Sequence, residues 1–157
     1  MPPFHNFTSK AKEIIRKTHE LAIERGQNQV GPIHLLAALL LQEDSVFVSL
    51  LDKIEVDTVL LTDFVLESIE GTESASVLSS PYQIYLTPEL VKVFDTSAKV
   101  ASNLQDEFVA TEHLLLALLE TPNQAHEILN RFRVTKERVL KVLQDLRLGK
   151  IRDVGEP

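Results

Sequence analysis

Apolar residues recur at three- and four-residue intervals through most of the chain, which is the spacing of one face of an α-helix. In the first half, N-cap and stop residues divide this pattern into four predicted helices. They run from the Thr8 N-cap to Gly26, from Ile33 to about Gln42, from Val46 to Lys53, and from the Asp57 N-cap to Gly71. Because alternation of polar and apolar residues never persists, no hairpin is predicted and the fold class is expected to be all-α.

The sequence contains an internal repeat. At an offset of 79 positions Phe7–Leu40 aligns with Leu86–Leu119 without a gap, and nine of the 34 positions are identical, where chance would give about two. With one residue deleted the match continues, placing Val56 on Val134. The second half should therefore repeat the four helices, from the Thr87 N-cap to about Leu104, from the Thr111 N-cap through Leu119, from Ala125 to Arg131 and from Thr135 to Gly149.

Two similar halves predict eight helices in two four-helix repeats related by a pseudo-two-fold axis, with a surface groove where they meet. Residues 1–150 are expected to form a single domain, with repeat one at 7–70 and repeat two at 85–148. The segment between them, 71–84, is rich in Ser, Thr and Gly and is interpreted as a linker. Residues 149–157 are interpreted as a tail leading toward another module.

Composition and charge exclude several classes of protein. The chain has 157 residues, 44% of them hydrophobic, and no cysteine, which indicates a globular protein of a reducing compartment. Its net charge of −7 disfavours binding to nucleic acid. The apolar runs fall far short of the roughly 20 residues that span a bilayer. No signal peptide is recognised, so no membrane association and a cytoplasmic location are expected.

The sequence carries no motif for catalysis or for a cofactor. Gly149-Lys150 lacks the flanking residues of a P-loop, and His126-Glu127 lacks the second histidine of a zinc-binding helix. His34 and His113 occupy equivalent positions near the start of the two apolar helices. A role in bonding the backbone at the helix N-terminus is favoured for them over a metal site, since no further ligand lies nearby in the pattern. The chain is therefore expected to be a binding module rather than an enzyme.

Several motifs resemble the double Clp repeat at the N-terminus of Clp ATPases of the ClpB and ClpC types. They are Asn6-Phe7-Thr8-Ser9-Lys10-Ala11, Pro32-Ile33-His34-Leu35-Leu36, Tyr85-Leu86-Thr87-Pro88 and Ala110-Thr111-Glu112-His113-Leu114. The resemblance implies a recognition module tethered to ATP-hydrolysing rings, with ATP and Mg²⁺ held only in those rings. It implies a monomer in isolation and a homohexameric parent, although a free-standing Clp-repeat protein is an alternative.

The resemblance also implies a function and its residues. ClpB-type domains hold exposed apolar segments of unfolded or aggregated proteins for disaggregation, and adaptor proteins are possible further partners. The matching polar positions here are Thr8, Asp106 and Glu112, for which helix capping or a loop role is the structural alternative. The groove wall should include three apolar side chains of the fifth predicted helix, Phe94, Val100 and Leu104.

A ClpC-type role is the second possibility implied by the resemblance. Those domains carry a glutamate in each repeat to receive phosphoarginine-tagged substrates. Here Glu112 is present in the second repeat, but the matching position in the first is Ile33, which has no carboxylate to accept guanidinium hydrogen bonds. This departure favours the ClpB type. A small helical enzyme that uses Asp106 and Glu112 remains the least favoured hypothesis.

Overall fold

The computed structural model describes residues 6–42, 46–71 and 84–152. These ranges hold eight α-helices and two short strands. The elements are α1 Ser9–Glu24, β1 Gln29–Val30, α2 Pro32–Leu41, α3 Val46–Lys53, α4 Thr58–Gly71, β2 Tyr85–Leu86, α5 Pro88–Asn103, α6 Thr111–Glu120, α7 Gln124–Arg131 and α8 Lys136–Arg152. The predicted all-α fold class is confirmed, and the predicted α3 has the bounds expected from its periodicity.

The sequence repeat is also a repeat of the backbone. Helices α1 and α2 begin and end 79 residues before α5 and α6, and α3 begins and ends 78 residues before α7. Residues with positive φ angles also occur at matching positions of the two repeats. Gly26 at 68° matches Gln105 at 61°, and Glu55 at 67° matches Arg133 at 64°. The repeats therefore share their turns as well as their helices.

Short parallel backbone pairings join the two repeats. Val30 pairs with Leu86, and Phe7 pairs with Val109. Since Phe7 matches Leu86 and Val30 matches Val109 in the repeat, these two pairings are the same contact made twice, as a pseudo-two-fold axis requires. The hydrogen bonds agree, with Thr8 N–H donating to the Val109 carbonyl at 2.9 Å and Thr87 N–H to the Val30 carbonyl at 3.0 Å.

The core is built around α2 and α6, which contact each other across the repeats. All residues of α2 from Pro32 to Leu40 are buried, because this helix is apolar on nearly every side, and most of α6 is buried as well. Helix α1 packs on α2, and α5 packs on α6. Each fully buried leucine in this layer contributes roughly 1.5–3 kcal/mol of transfer free energy, so these two helices supply much of the stability of the fold.

Two predicted helix ends are wrong. Ala110, not Thr111, is the N-cap of α6, and Thr111 is instead a buried first residue of the helix. Helix α8 continues through Gly149 to Arg152, because a helical glycine costs only about 1 kcal/mol and does not by itself end a helix. Most of the predicted linker, 72–83, and the end of the predicted tail, 153–157, lie outside the described residues.

In the described part of the chain, no single helix is long and apolar enough to cross a membrane. Helices α2 and α3 are long and apolar enough to span a membrane only if they are counted as one segment, and the two helices are bent by 88° relative to each other.

Candidate functional site: a charged cluster at the start of α6

His113 organises the N-terminus of α6. The Ala110 N–H donates to His113 Nδ1 at 2.8 Å, so Nδ1 carries no proton and the neutral ring has its proton on Nε2. That Nε2–H donates to Asp106 Oδ2 at 2.7 Å. The ring thus satisfies an otherwise unpaired backbone N–H at the helix start. This confirms the backbone-bonding role predicted for the histidine pair.

Asp106 receives a second partner from α8. Arg147 donates through Nη1 to Oδ1 at 3.1 Å and through Nη2 to Oδ2 at 2.6 Å, the two-pronged geometry that suits a guanidinium and a carboxylate. Burial by itself raises the pKa of Asp106, but the hydrogen bonds from Arg147 and His113 outweigh it and hold that pKa below its usual value. The same bond to Asp106 raises the pKa of Arg147. Asp106 is therefore an ionised carboxylate at neutral pH.

Glu112 completes the group. It is the second residue of α6, where the helix dipole favours a negative charge. Its Oε2 lies 3.4 Å from Arg147 Nη2, so one guanidinium faces two carboxylates. Asp106, Glu112, His113 and Arg147 are called the charged cluster below. With the neutral histidine, the cluster has one more negative than positive charge and can accept cationic or N–H groups of a partner.

Repeat one has the same scaffold with different chemistry. There the Gly31 N–H donates to His34 Nδ1 at 3.0 Å, and His34 Nε2 meets Gln27 Oε1 at 2.7 Å. Gln27 in turn donates to the Ile69 carbonyl of α4 at 3.1 Å. Burial, assisted by the charge of Arg25, lowers the pKa of His34 to about 4. The counterpart of the charged cluster is thus neutral and buried, so the fold itself does not require charges at this place.

Thr8 is tied to the loop that carries the charged cluster. Its hydroxyl caps α1 by accepting the Ala11 N–H at 3.1 Å. Its own N–H bonds Val109, which lies between Asp106 and Glu112 in the chain. Next to Val109, the side chain of Phe108 is 49% exposed. The structure therefore brings Asp106 and Glu112 together on Arg147, and joins Thr8 through its backbone to the loop between them.

Two of the three residues predicted for the groove wall are buried in the core. Phe94 and Val100 are 1% and 3% exposed, because they lie on the face of α5 that packs into the core. Leu104, just after α5, is half-buried against the same core. The exposed apolar residue beside the predicted polar positions is instead Phe108. Neither Phe108 nor Arg147 was predicted from the sequence, although the repeat alignment places Arg147 opposite the buried Ile69 and so could have indicated it.

No three histidine, aspartate or glutamate side chains in the described ranges are grouped so that they could hold a metal ion.

A model of the Clp repeat N-terminal domain matches residues 6–132. The chain belongs to this family. Among curated proteins it is similar to the chaperone ClpB of Clostridium tetani, with 27% identity over 154 residues that cover 96% of this chain and 18% of that protein. The Clp-repeat chain thus spans less than a fifth of the length of this relative. It is an N-terminal domain of the Clp/Hsp100 chaperone type.

Solved structures agree on the fold of the Clp-repeat domain. The N-terminal domain of Hsp104 from Candida albicans superposes with a TM-score of 0.74 at 24% identity, covering 91% of this chain and 92% of that one. A ClpV N-domain, solved in complex with a VipB peptide, has a TM-score of 0.66 at 18% identity, with 82% and 80% of the two chains covered. At these identities the likeness supports the architecture of two helical repeats.

Proposed function

We propose that this domain recognises polypeptide substrates for a ClpB-like, ATP-dependent disaggregase, by binding exposed apolar segments of unfolded or aggregated proteins. The observation that carries the proposal is the exposed Phe108 beside the charged cluster, at a place where repeat one is neutral and closed. An unfolded chain offers both apolar side chains and backbone N–H groups. Phe108 and the carboxylates of Asp106 and Glu112 suit these two features.

The wider setting is part of the same proposal. The domain would act as a binding module without an activity or cofactor of its own, in the cytoplasm, while the ATP-hydrolysing rings of a hexameric parent do the mechanical work. A tethered domain needs only weak affinity, because a short flexible linker gives an effective concentration in the millimolar range. The ClpV N-domain bound to a VipB peptide supports the expectation that domains of this fold bind polypeptide.

Chemical-shift mapping tests the proposal. An unfolded protein titrated into the isotopically labelled domain should shift the amides of Thr8 and of residues 106–112, at a weak affinity. Phe108→Ser should reduce the binding without unfolding the domain, since the side chain is half exposed. Ile23→Ser is a matched control, because Ile23 is 48% exposed on α1 and is not part of the site. Shifts that avoid residues 106–112, or equal loss in both variants, would contradict the proposal.

Phosphoarginine distinguishes the ClpC-type alternative. A ligand that binds only the folded state raises the melting temperature. We expect free phosphoarginine to leave the melting temperature unchanged, because Ile33 stands where a second carboxylate would be needed beside Glu112 to accept guanidinium hydrogen bonds. A clear, saturable rise would favour docking of phosphoarginine-tagged substrates.

A further inference from the structure

Repeat one exposes four aliphatic side chains on three helices that contact one another, α2, α3 and α4. Leu41, Val46, Val59 and Leu60 are 40%, 41%, 70% and 57% exposed. Val59 also lines an open pocket of about 220 Å³ between the same helices, together with Leu40, Val48, Thr58, Thr62 and Asp63. These four exposed side chains and the pocket are called the repeat-one patch. Single exposed aliphatic residues are ordinary, but several on adjoining helices, one of them lining a concave surface, are a candidate interaction site.

Repeat two shows that the fold does not require the repeat-one patch. The four exposed positions correspond in the repeat to polar residues, namely Glu120, Gln124, Glu137 and Arg138. Two of these make polar contacts, with Glu120 3.2 Å from Lys136 and Arg138 donating to the Ile54 carbonyl at 3.0 Å. The same backbone is thus built with a polar surface in one repeat and an aliphatic one in the other.

The charges around the repeat-one patch indicate the chemistry of its partner. From Val46 to Glu70 the chain has six carboxylates, all exposed, and one lysine. The matching stretch of repeat two, 124–148, has three carboxylates and six basic residues. Asp63 lines the pocket itself. An aliphatic surface on helices with an excess of negative charge attracts apolar groups that carry positive charge beside them, and it repels anionic lipid and nucleic acid.

We propose that the repeat-one patch is a second polypeptide-binding surface, which selects apolar segments flanked by Lys or Arg. It lies on α2, α3 and α4, whereas the charged cluster is built by α6, α8 and the loop before α6, so the two surfaces use different elements. The inference rests on the proposed function in that the partner is a protein chain. It adds a location and a charge preference. In an unfolded substrate, apolar runs next to basic residues would engage this surface.

The test uses two synthetic peptides that share an apolar core of leucine and phenylalanine, one flanked by lysines and the other by glutamates. Fluorescence anisotropy with the full chain should give tighter binding of the lysine peptide, and added salt should weaken that binding. The double variant Val59→Glu with Leu60→Arg has the residues of repeat two at these positions. It should lower the affinity for the lysine peptide about tenfold or more. Leu60→Ser alone should lower the affinity for the lysine peptide by a smaller factor. This single variant keeps the test valid if the double variant does not fold.

Asp106→Asn separates this inference from the proposed function. It should weaken binding of the lysine peptide by less than Val59→Glu with Leu60→Arg does, because the repeat-one patch is intact in this variant. If Asp106→Asn abolishes binding while Val59→Glu with Leu60→Arg does not, the proposed function stands and the second surface is refuted. Equal affinity for the two peptides refutes the charge preference. No binding of either peptide to the wild type refutes the second surface outright.

Discussion

The ion pair between Asp106 and Arg147 should stabilise the domain by a measurable coupling energy. Hydrogen bonds between charged groups contribute about 1.5–3 kcal/mol when buried. Here the aspartate side chain is 25% exposed and the arginine 35% exposed, so solvent screening reduces that value and we expect a coupling of about 1 kcal/mol. In a domain of this size, such a change in unfolding free energy shifts the melting temperature by about 2–4 °C.

A double-mutant cycle measures this coupling. Asp106→Asn keeps an oxygen that can accept the His113 Nε2–H, and Arg147→Met keeps the aliphatic part of the arginine, so each change removes mainly the ion pair. Unfolding free energies of the two single variants and of the double variant come from urea titration at neutral pH. The exposed pair Glu120 and Lys136, at 3.2 Å, is the control and should couple by less than about 0.5 kcal/mol.

The pH dependence gives an independent check of the same pair. The folded-state pKa of Asp106 is lowered, so the stabilisation is present above the unfolded-state pKa of about 3.9 and is lost as pH falls through the folded-state value. The difference in stability between wild type and Asp106→Asn should therefore narrow below about pH 4. A coupling near zero at neutral pH, or a difference that widens on acidification, would show that the Asp106–Arg147 ion pair does not stabilise the domain.

Three further predictions concern the N-cap, the buried histidine of repeat one and the core. Thr8→Ala and Thr87→Ala should each cost about 1 kcal/mol in thermal unfolding, because each removes an N-cap bond of 3.1 Å. Because the folded-state pKa of His34 is about 4, below its unfolded value, wild type should lose stability as pH falls from about 6.5 to 4, and His34→Gln should show a flatter profile in urea titrations. Leu36→Ala should destabilise by about 2–5 kcal/mol in urea titration, as a fully buried residue of the central helix, while Leu41→Ala should change little.

Periodicity predicted the helices because it is a local signal. The internal repeat then indicated that the second half has the same helices as the first. The spacing of Ala11, Ile14, Thr18 and Leu21 identifies the buried face of α1 without knowledge of any distant contact. The cross-repeat strands were not predicted, since two residues are too few to show an alternating pattern. Phe94 was assigned to the groove wall by the resemblance to Clp repeats, not by its spacing. Its spacing places it on the apolar face of α5, but the spacing does not tell whether that face is covered.

The candidate site was only partly predictable. Asp106 and Glu112 are six residues apart, and the resemblance to Clp repeats indicated both. Arg147, which joins them, lies 41 residues from Asp106 in the chain and reaches it only because α8 packs beside α6. No local pattern contains that contact. The aligned repeats give a sequence signal for this contact, because three uncharged residues of repeat one are replaced by charged residues in repeat two. The three pairs are Gln27 and Asp106, Ile33 and Glu112, and Ile69 and Arg147.

Exchanging those three residues tests the central claim, that the charged cluster of repeat two makes a duplicated fold into a polypeptide-binding domain. The variant Asp106→Gln, Glu112→Ile, Arg147→Ile gives repeat two the neutral chemistry of repeat one. Binding of an unfolded polypeptide is measured by isothermal titration, with circular dichroism reporting the fold. We expect this variant to remain helical and to unfold cooperatively, but to lose most of its affinity for the unfolded polypeptide. Unchanged affinity in a folded variant would contradict the central claim.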